Sequence, residues 1–205
     1  MTILKGLTDE ALYRLMRQGR QDAFAELYER HEAALFRYAM HMAGSRETGE
    51  EIAHDVFVRL LDAAERFDER RGALVAYLYG IARNLVRVSK RHTSVGIPGE
   101  IRAVDEGGLS LALIAREQVA ALHAALARMP LPYRDAVVLC DLEELPYEEA
   151  ARRMGCAVGT VRSRVHRGRL FLAERLKPAE ARARAVGGQE TERKVMRDGM
   201  SSVDR

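Results

Sequence analysis

Only two of the 205 residues are cysteine, Cys140 and Cys156, too few to build a disulfide framework in a chain of this length. Their spacing fits no common zinc pattern and the nearby His166 does not complete one, so no metal or other cofactor is expected. No run of about 18 apolar residues occurs, which excludes an ordinary membrane-spanning helix. Met1–Gly6 lacks a long apolar stretch with a cleavage site, so no secretory leader is expected. These absences predict a chain without membrane insertion that works in the cytoplasm. Alternating strand patterns are nearly absent as well. Hydrophobic residues still make up 47% of the chain, enough to predict folded cores rather than disorder.

Apolar residues recur instead at helical spacing. Thr8-Asp9-Glu10 can open a short helix that Gly19 closes. A helix from about Asp22 to Met42 carries Phe24, Leu27, Leu35, Tyr38 and Met42 on one face. Gly44-Ser45 breaks it, and Ser45 can cap the next helix, which runs to about Ala64 and buries Ile52, Ala53, Val56, Phe57 and Leu60. Beyond a polar turn at 67–72, Leu74, Tyr77, Leu78, Ile81, Leu85 and Val88 mark a further helix. The stretch 93–110 then changes character, with Gly96, Pro98, Gly99, Gly107 and Gly108 and few large apolar side chains, as expected of a linker. Helical spacing resumes with Leu111, Ile114, Val119, Leu122 and Leu126. Pro132 suits the first turn of a new helix, and two more are expected at about Pro146–Met154 and Gly159–Leu176. Polar composition after Pro178 predicts a frayed tail. The expected fold is all-α: helical domains at 8–92 and 111–176, a flexible linker at 93–110 and a tail at 177–205.

The second block carries the strongest local signal. Ala151 precedes Gly155 by four residues; a small side chain lets two helices approach, and glycine permits the tight turn between them. On the following helix Val161, Val165 and Leu172 fall on one side, and Arg162, Ser163, His166 and Arg167 on the other. From Arg152 to Arg169 there are six arginines, one histidine and no acid. A solvated basic face is the plain structural reading of such a run. The absence of interspersed glutamate, together with the helix-turn-helix spacing, favours DNA binding.

The first block holds two further charged segments. Arg83, Arg87, Lys90, Arg91 and His92 form a second basic stretch, which could equally be an ordinary helix end favoured by the dipole. The helix over 50–64 has the opposite sign, with Glu51, His54, Asp55, Val58 and Asp62 sharing its exposed side. An acidic stripe faces water or a basic protein surface, not phosphates, and an apolar Val58 among charges leans toward a protein interface. A dimeric helix-turn-helix regulator explains the basic helix but not the acidic one. A pure protein-interaction module needs no arginine-lined reading helix. A hydrolase is disfavoured, because His31-Glu32 begins like a zinc-protease motif but Leu35 stands where its second histidine belongs.

The order of the pieces resembles the extracytoplasmic-function group of the sigma-70 family. DAFAELY at 22–28 and EEIAHDVFVRL at 50–60 look like the core-binding helices of region 2. RFDERRGALVAYLYGIARN at 66–84 looks like its promoter-melting part. The stretch 131–176, including LPYRDAVVLCDLEELPYEEAARRMGCAVGTVRSRVHRGR, is similar to region 4. No separate region 1.1 or folded region 3 fits. The resemblance implies a transcription initiation factor, not an enzyme, with core RNA polymerase and promoter DNA as partners. It implies polymerase contacts at Glu51, His54, Asp55, Val58 and Asp62. It implies −10 contacts at Arg71, Arg83, Asn84, Arg87 and Lys90, with a flipped base held by the loop around Asp68–Leu74. It implies −35 contacts at Thr160, Arg162, Ser163, His166 and Arg167. Many members of the family are restrained by an anti-sigma factor, which the resemblance adds as a candidate partner. There are departures. His54 replaces the usual glutamine, which bears on the polymerase contact and its pH-dependence. Tyr77 replaces a common tryptophan, and Pro146 replaces the usual serine at a helix start.

Overall fold

The computed structural model describes residues 4–62, 67–92 and 109–177. These form eight α-helices and no strand among the described residues. The order is α1 (Asp9–Arg17), α2 (Gln21–Ala43), α3 (Arg46–Asp62), α4 (Leu74–His92), α5 (Leu109–Arg128), α6 (Leu131–Val137), α7 (Tyr147–Met154) and α8 (Val158–Leu176). The linker read at 93–110 lies outside the described residues except for its last two, which already belong to α5. The tail read at 177–205 lies outside them beyond Lys177.

Local chemistry sets the helix ends. Thr8 Oγ1 accepts from the Ala11 amide at 3.3 Å and starts α1, with Asp9 and Glu10 in its first turn, where acids favour the helix dipole. Gly19 (φ +87°) and Gly44 (φ +80°) take the left-handed backbone needed to turn out of α1 and α2. Ser45 Oγ accepts from the Thr48 amide at the start of α3. The start of α4 is capped from a distance: Glu10 Oε1 accepts from the Leu74 amide at 3.0 Å. Arg30 secures the N-terminal segment, donating to the carbonyls of Leu4, Lys5 and Leu7 and pairing with Asp9 and Glu26. His31 is held by Asp9 at 2.8 Å, a structural use that replaces the protease reading.

α1–α4 enclose a core of Leu12, Leu27, Leu35, Val56, Leu60, Leu74 and Leu78. The aromatic rings of Tyr13, Phe67 and Tyr77 pack in series, with Phe67 5.1 Å from Tyr13 and 5.4 Å from Tyr77. α5, α6 and α8 share a smaller cluster of Leu126, Met129 and Val137 with Phe171 and Leu172. Val119 departs from the apolar face read in the sequence: it is exposed. α6 does not simply end. It passes into a π-helical turn, Val138–Leu142, and then through Glu144 at φ +53°, and this bulge aims the Glu143 side chain back at α2.

The two blocks are packed against each other. α4 meets α7, and α2 meets α5 and the π turn. Tyr38 and Arg83, from the first block, donate to the buried carboxylate of Asp135 at 2.7 and 3.2 Å. Arg134 reaches the other way, donating to the Met42 carbonyl, and also to Ala127 and Met129 within its own block. Arg153 donates to the Tyr79 hydroxyl at 2.6 Å and lies over its ring. Arg37 pairs with Glu143 at 2.9 Å. Burial pushes the Asp135 carboxyl above the usual aspartate range, against the opposing pull of Arg83, and pulls Arg134 down to about 10.

Two glycines mark close approaches not anticipated from the sequence. A Cβ on Gly168 would lie 2.4 Å from Val137 Cγ2. One on Gly49 would lie 2.8 Å from both Cα and N of Met40, which are main-chain atoms that no rotamer can clear. Helix propensity alone favours alanine at Gly49 by about 1 kcal/mol. The close α2–α3 approach outweighs it, because overpacking of this kind costs about 1–3 kcal/mol. Gly49→Ala is therefore expected to lower the melting temperature by about 2–8 °C. Thermal denaturation followed by circular dichroism checks this, and an unchanged or raised midpoint would contradict the packing argument.

Candidate functional site

The exposed side of α3 carries Glu51, His54, Asp55, Val58 and Asp62, all open to solvent. Their periodicity follows from burial of Ile52, Ala53, Val56, Phe57 and Leu60 on the opposite side. Val58 and Leu61 are 39% and 48% exposed, so the acidic face also offers apolar surface. Tyr28 on α2 extends it, its ring packed 4.6 Å from that of Phe57. A shallow groove between α2 and α3 adjoins this face, lined by Tyr28, Glu32, Phe36, Arg46, Glu50 and His54. A negatively charged face with exposed apolar side chains is suited to a basic protein surface.

The basic side of the first block is less uniform. Arg71, Asn84 and Arg87 are exposed. The loop before α4 is ordered by Asp68, which accepts from the Arg70 amide at 3.0 Å and caps the 3-10 turn Glu69–Arg71. Arg83 differs: its guanidinium is turned into the contact between blocks, on Asp135 and the Arg153 carbonyl. The Lys90 side chain lies outside the described residues.

α7 and α8 form the helix-turn-helix. Gly155 takes the left-handed conformation at φ +61° and ends α7. Ala151 is buried on the inner face, and Val161 and Val165 seat α8. Arg162, Ser163, His166 and Arg167 are all exposed on its outer side, with Thr160 half-buried. Ser163 Oγ donates to the Thr160 carbonyl. Arg162 lies 5.9 Å from the Tyr147 ring centre, and Arg167 donates to the Tyr133 hydroxyl at 3.3 Å. These aromatic neighbours orient the guanidinium groups without neutralising them.

The six arginines of this stretch sort into three kinds. Arg152 and Arg153 pair with Glu149, and Arg169 is gripped by both oxygens of Asp141 at 2.6 and 3.1 Å. Arg164 is half-buried with Nη1 toward Cys156 Sγ. Arg162 and Arg167 are left facing solvent with no acidic partner among the described residues. The lack of acids within the run thus overstates its free charge. The Glu149 pairing with Arg153, four residues on in the same helix, was readable from spacing; the Asp141 contact needs the fold. Both cysteines are half-buried and free, and burial pushes the Cys140 thiol up to about 11, away from thiolate chemistry.

Comparison with known proteins fits this geometry. The family model for sigma-70 region 2 matches residues 27–94, and that for sigma-70 region 4 matches residues 120–172. The chain belongs to the sigma-70 family. It is 32% identical over 165 residues to the extracytoplasmic-function sigma factor SigE of Mycolicibacterium smegmatis, covering 78% of this chain and 63% of that protein. It is 27% identical over 177 residues to SigW of Bacillus subtilis, of the same group, covering 79% and 93%. Among solved structures it resembles CnrH in complex with the cytosolic domain of CnrY, at 26% identity and a TM-score of 0.57, over 80% of this chain and 94% of that one. It also resembles the Bartonella quintana sigma factor RpoE in complex with the anti-sigma factor NepR, at 26% identity and a TM-score of 0.53, over 76% and 98%.

This sigma factor is accordingly a transcription initiation factor of the extracytoplasmic-function group and not an enzyme. A stand-alone helix-turn-helix regulator leaves the region 2 match unexplained. No helix among the described residues is long and apolar enough to cross a membrane.

The sorting of arginines predicts unequal losses in DNA affinity. With nonspecific duplex DNA, Arg162→Ala and Arg167→Ala should each reduce the slope of log binding constant against log salt by about 1. Arg169→Ala should leave it nearly unchanged, because Asp141 already holds that cation. Fluorescence anisotropy titrations of the full chain across a salt series check this. Equal losses in all three variants would show that the internal pairing does not decide which arginines reach phosphate.

Proposed function

We propose that this sigma factor docks on core RNA polymerase through the exposed face of α3, using Glu51, His54, Asp55, Val58 and Asp62. The −10 element is then met by Arg71, Arg83, Asn84, Arg87 and Lys90, with the loop around Asp68–Leu74 receiving a flipped base. The −35 element is met by Thr160, Arg162, Ser163, His166 and Arg167. The working division of the chain is 8–92 for polymerase and −10 recognition, 93–110 as linker and 111–176 for −35 recognition, with 177–205 as a tail. The cytoplasm is the place of action, and an anti-sigma factor is a further partner, in keeping with the two solved complexes named above.

One observation carries this reading: a single chain presents an acidic, partly apolar helix face in one block and a cationic helix-turn-helix in the other. The acidic face suits a protein partner and the cationic helix suits duplex DNA. Each DNA-binding block alone would bind weakly, and holding both on one polymerase raises their effective concentration at neighbouring promoter sites. Polymerase performs the phosphoryl transfer, and the sigma factor supplies the choice of site.

The test is run-off transcription with core polymerase on a matched promoter and on one altered in its −35 element. Arg162→Ala or Arg167→Ala should reduce discrimination between the templates by about 1–3 kcal/mol, on the order of 5- to 150-fold, where the side chain grips a base edge with two hydrogen bonds. Unchanged discrimination in both variants would remove these arginines from the reading surface. Asp55→Lys should weaken core binding while sparing nonspecific DNA affinity, which separates the two surfaces.

A further inference from the structure

Where α2 meets α5, the rings of His41 and His123 lie parallel, their centres 6.0 Å apart and their planes 7° from coplanar. One ring belongs to the first block and the other to the second, so the pair closes part of the contact between them. Both Nδ1 atoms are buried without a hydrogen-bond partner. Neutral imidazoles tolerate this arrangement, because their stacked faces are largely apolar. Two imidazolium ions would place like charges about 6 Å apart, each with a donor shut away from water, and repel.

The surrounding charges give limited relief. Glu143 Oε1 lies 3.7 Å from His41 Nε2, but the same carboxylate is held by Arg37 at 2.9 Å. Arg37 therefore adds a cation on the His41 side. From α6, Arg134 sits on the carbonyl of Met42, the next residue along. Glu143 and Arg37 are the charged groups that act on His41, from among all the described elements packed on α2, and His41 is the one that acts on His123. The cluster that joins α8 to α5 is apolar there, built with Phe171 and Leu172.

We propose that His41 and His123 form a proton-sensitive catch between the two blocks, closed when both rings are neutral and released when they take up protons. Release would also free Arg83 from Asp135. That consequence for promoter binding rests on the function proposed above, whereas the opening itself does not. Burial holds both rings below the ordinary imidazole value of 6.5. The closed form thus binds fewer protons than the open one. Its stabilisation is complete above about pH 6.5 and is lost as the pH falls below that value. Asp135, another titratable group in the contact, is displaced upward by burial, so proton uptake there favours the closed form and acts in the opposite sense.

The experiment is small-angle X-ray scattering of the full chain between pH 8 and pH 5.5, with far-ultraviolet circular dichroism on the same samples. The expected result is a compact particle at pH 8 whose radius of gyration rises by several ångström toward pH 5.5 at constant helicity. The double variant His41→Phe/His123→Phe keeps two rings but cannot be protonated, and it should stay compact throughout. His41→Gln/His123→Gln serves the same purpose should the first variant fold poorly. The proposal is overturned by an acid-insensitive radius in the wild type, by expansion only together with loss of helix, or by a double variant that expands like the wild type. Because no polymerase or promoter is involved, failure here leaves the transcription reading standing, and failure of that reading leaves this measurement intact.

Discussion

A carboxylate taken out of water must be met by donors, and Asp135 finds both of its side-chain donors in the other half of the chain. Tyr38 supplies a hydroxyl and Arg83 a guanidinium, and removing either would leave a charge or a dipole buried without its complement. This requirement fixes how α6 sits against α2 and α4. The neighbouring bonds follow from the same placement: Arg134 on the Met42 carbonyl, Arg153 on Tyr79 and Arg37 on Glu143. These polar bonds lie within an apolar contact, because one buried cluster runs from Tyr38, Leu78 and Tyr79 of the first block into Val138, Leu139, Ala150 and Met154 of the second.

The same arrangement explains why the two basic segments are not equivalent. The outer face of α8 remains open: its valines point inward, and Arg162 and Arg167 have no acidic partner among the described residues. On α4, Asn84 and Arg87 remain open while Arg83 serves the contact between blocks. The acidic face of α3 lies outside that contact and stays exposed. One conformation can therefore present the acidic face proposed for polymerase and the helix proposed for DNA while withholding a cation of the first block. Charge placement, rather than the modest net charge of +3, is what the functional reading rests on.

Much of this was legible from periodicity and punctuation. The α2 and α3 faces, the breaks at Gly44 and Gly155 and the outward side of α8 all follow from residue spacing. The resemblance to the sigma-70 family, carried by the motifs at 22–28, 50–60, 66–84 and 131–176, was upheld by the family models. What escaped was tertiary. Asp135 gives no sign of its buried role until Tyr38 and Arg83, far away in sequence, are brought to it. The π turn at 138–142 has no local signature, and nothing in the sequence beyond Pro132 marks it. Gly49 and Gly168 look like weak points within helices, and only the neighbouring backbone of Met40 and side chain of Val137 reveal why no larger residue fits. Arg169 appeared free because Asp141, its counter-charge, comes from the turn after α6.

The account stands on one chain linking polymerase to particular promoter sequences. The most direct measurement is to map transcript start points on genomic DNA with purified core polymerase, with and without the added chain. A defined set of new starts preceded by shared −10 and −35 sequences is the predicted result. An unchanged start profile despite a folded, helical protein would contradict the assignment of polymerase and promoter surfaces made above.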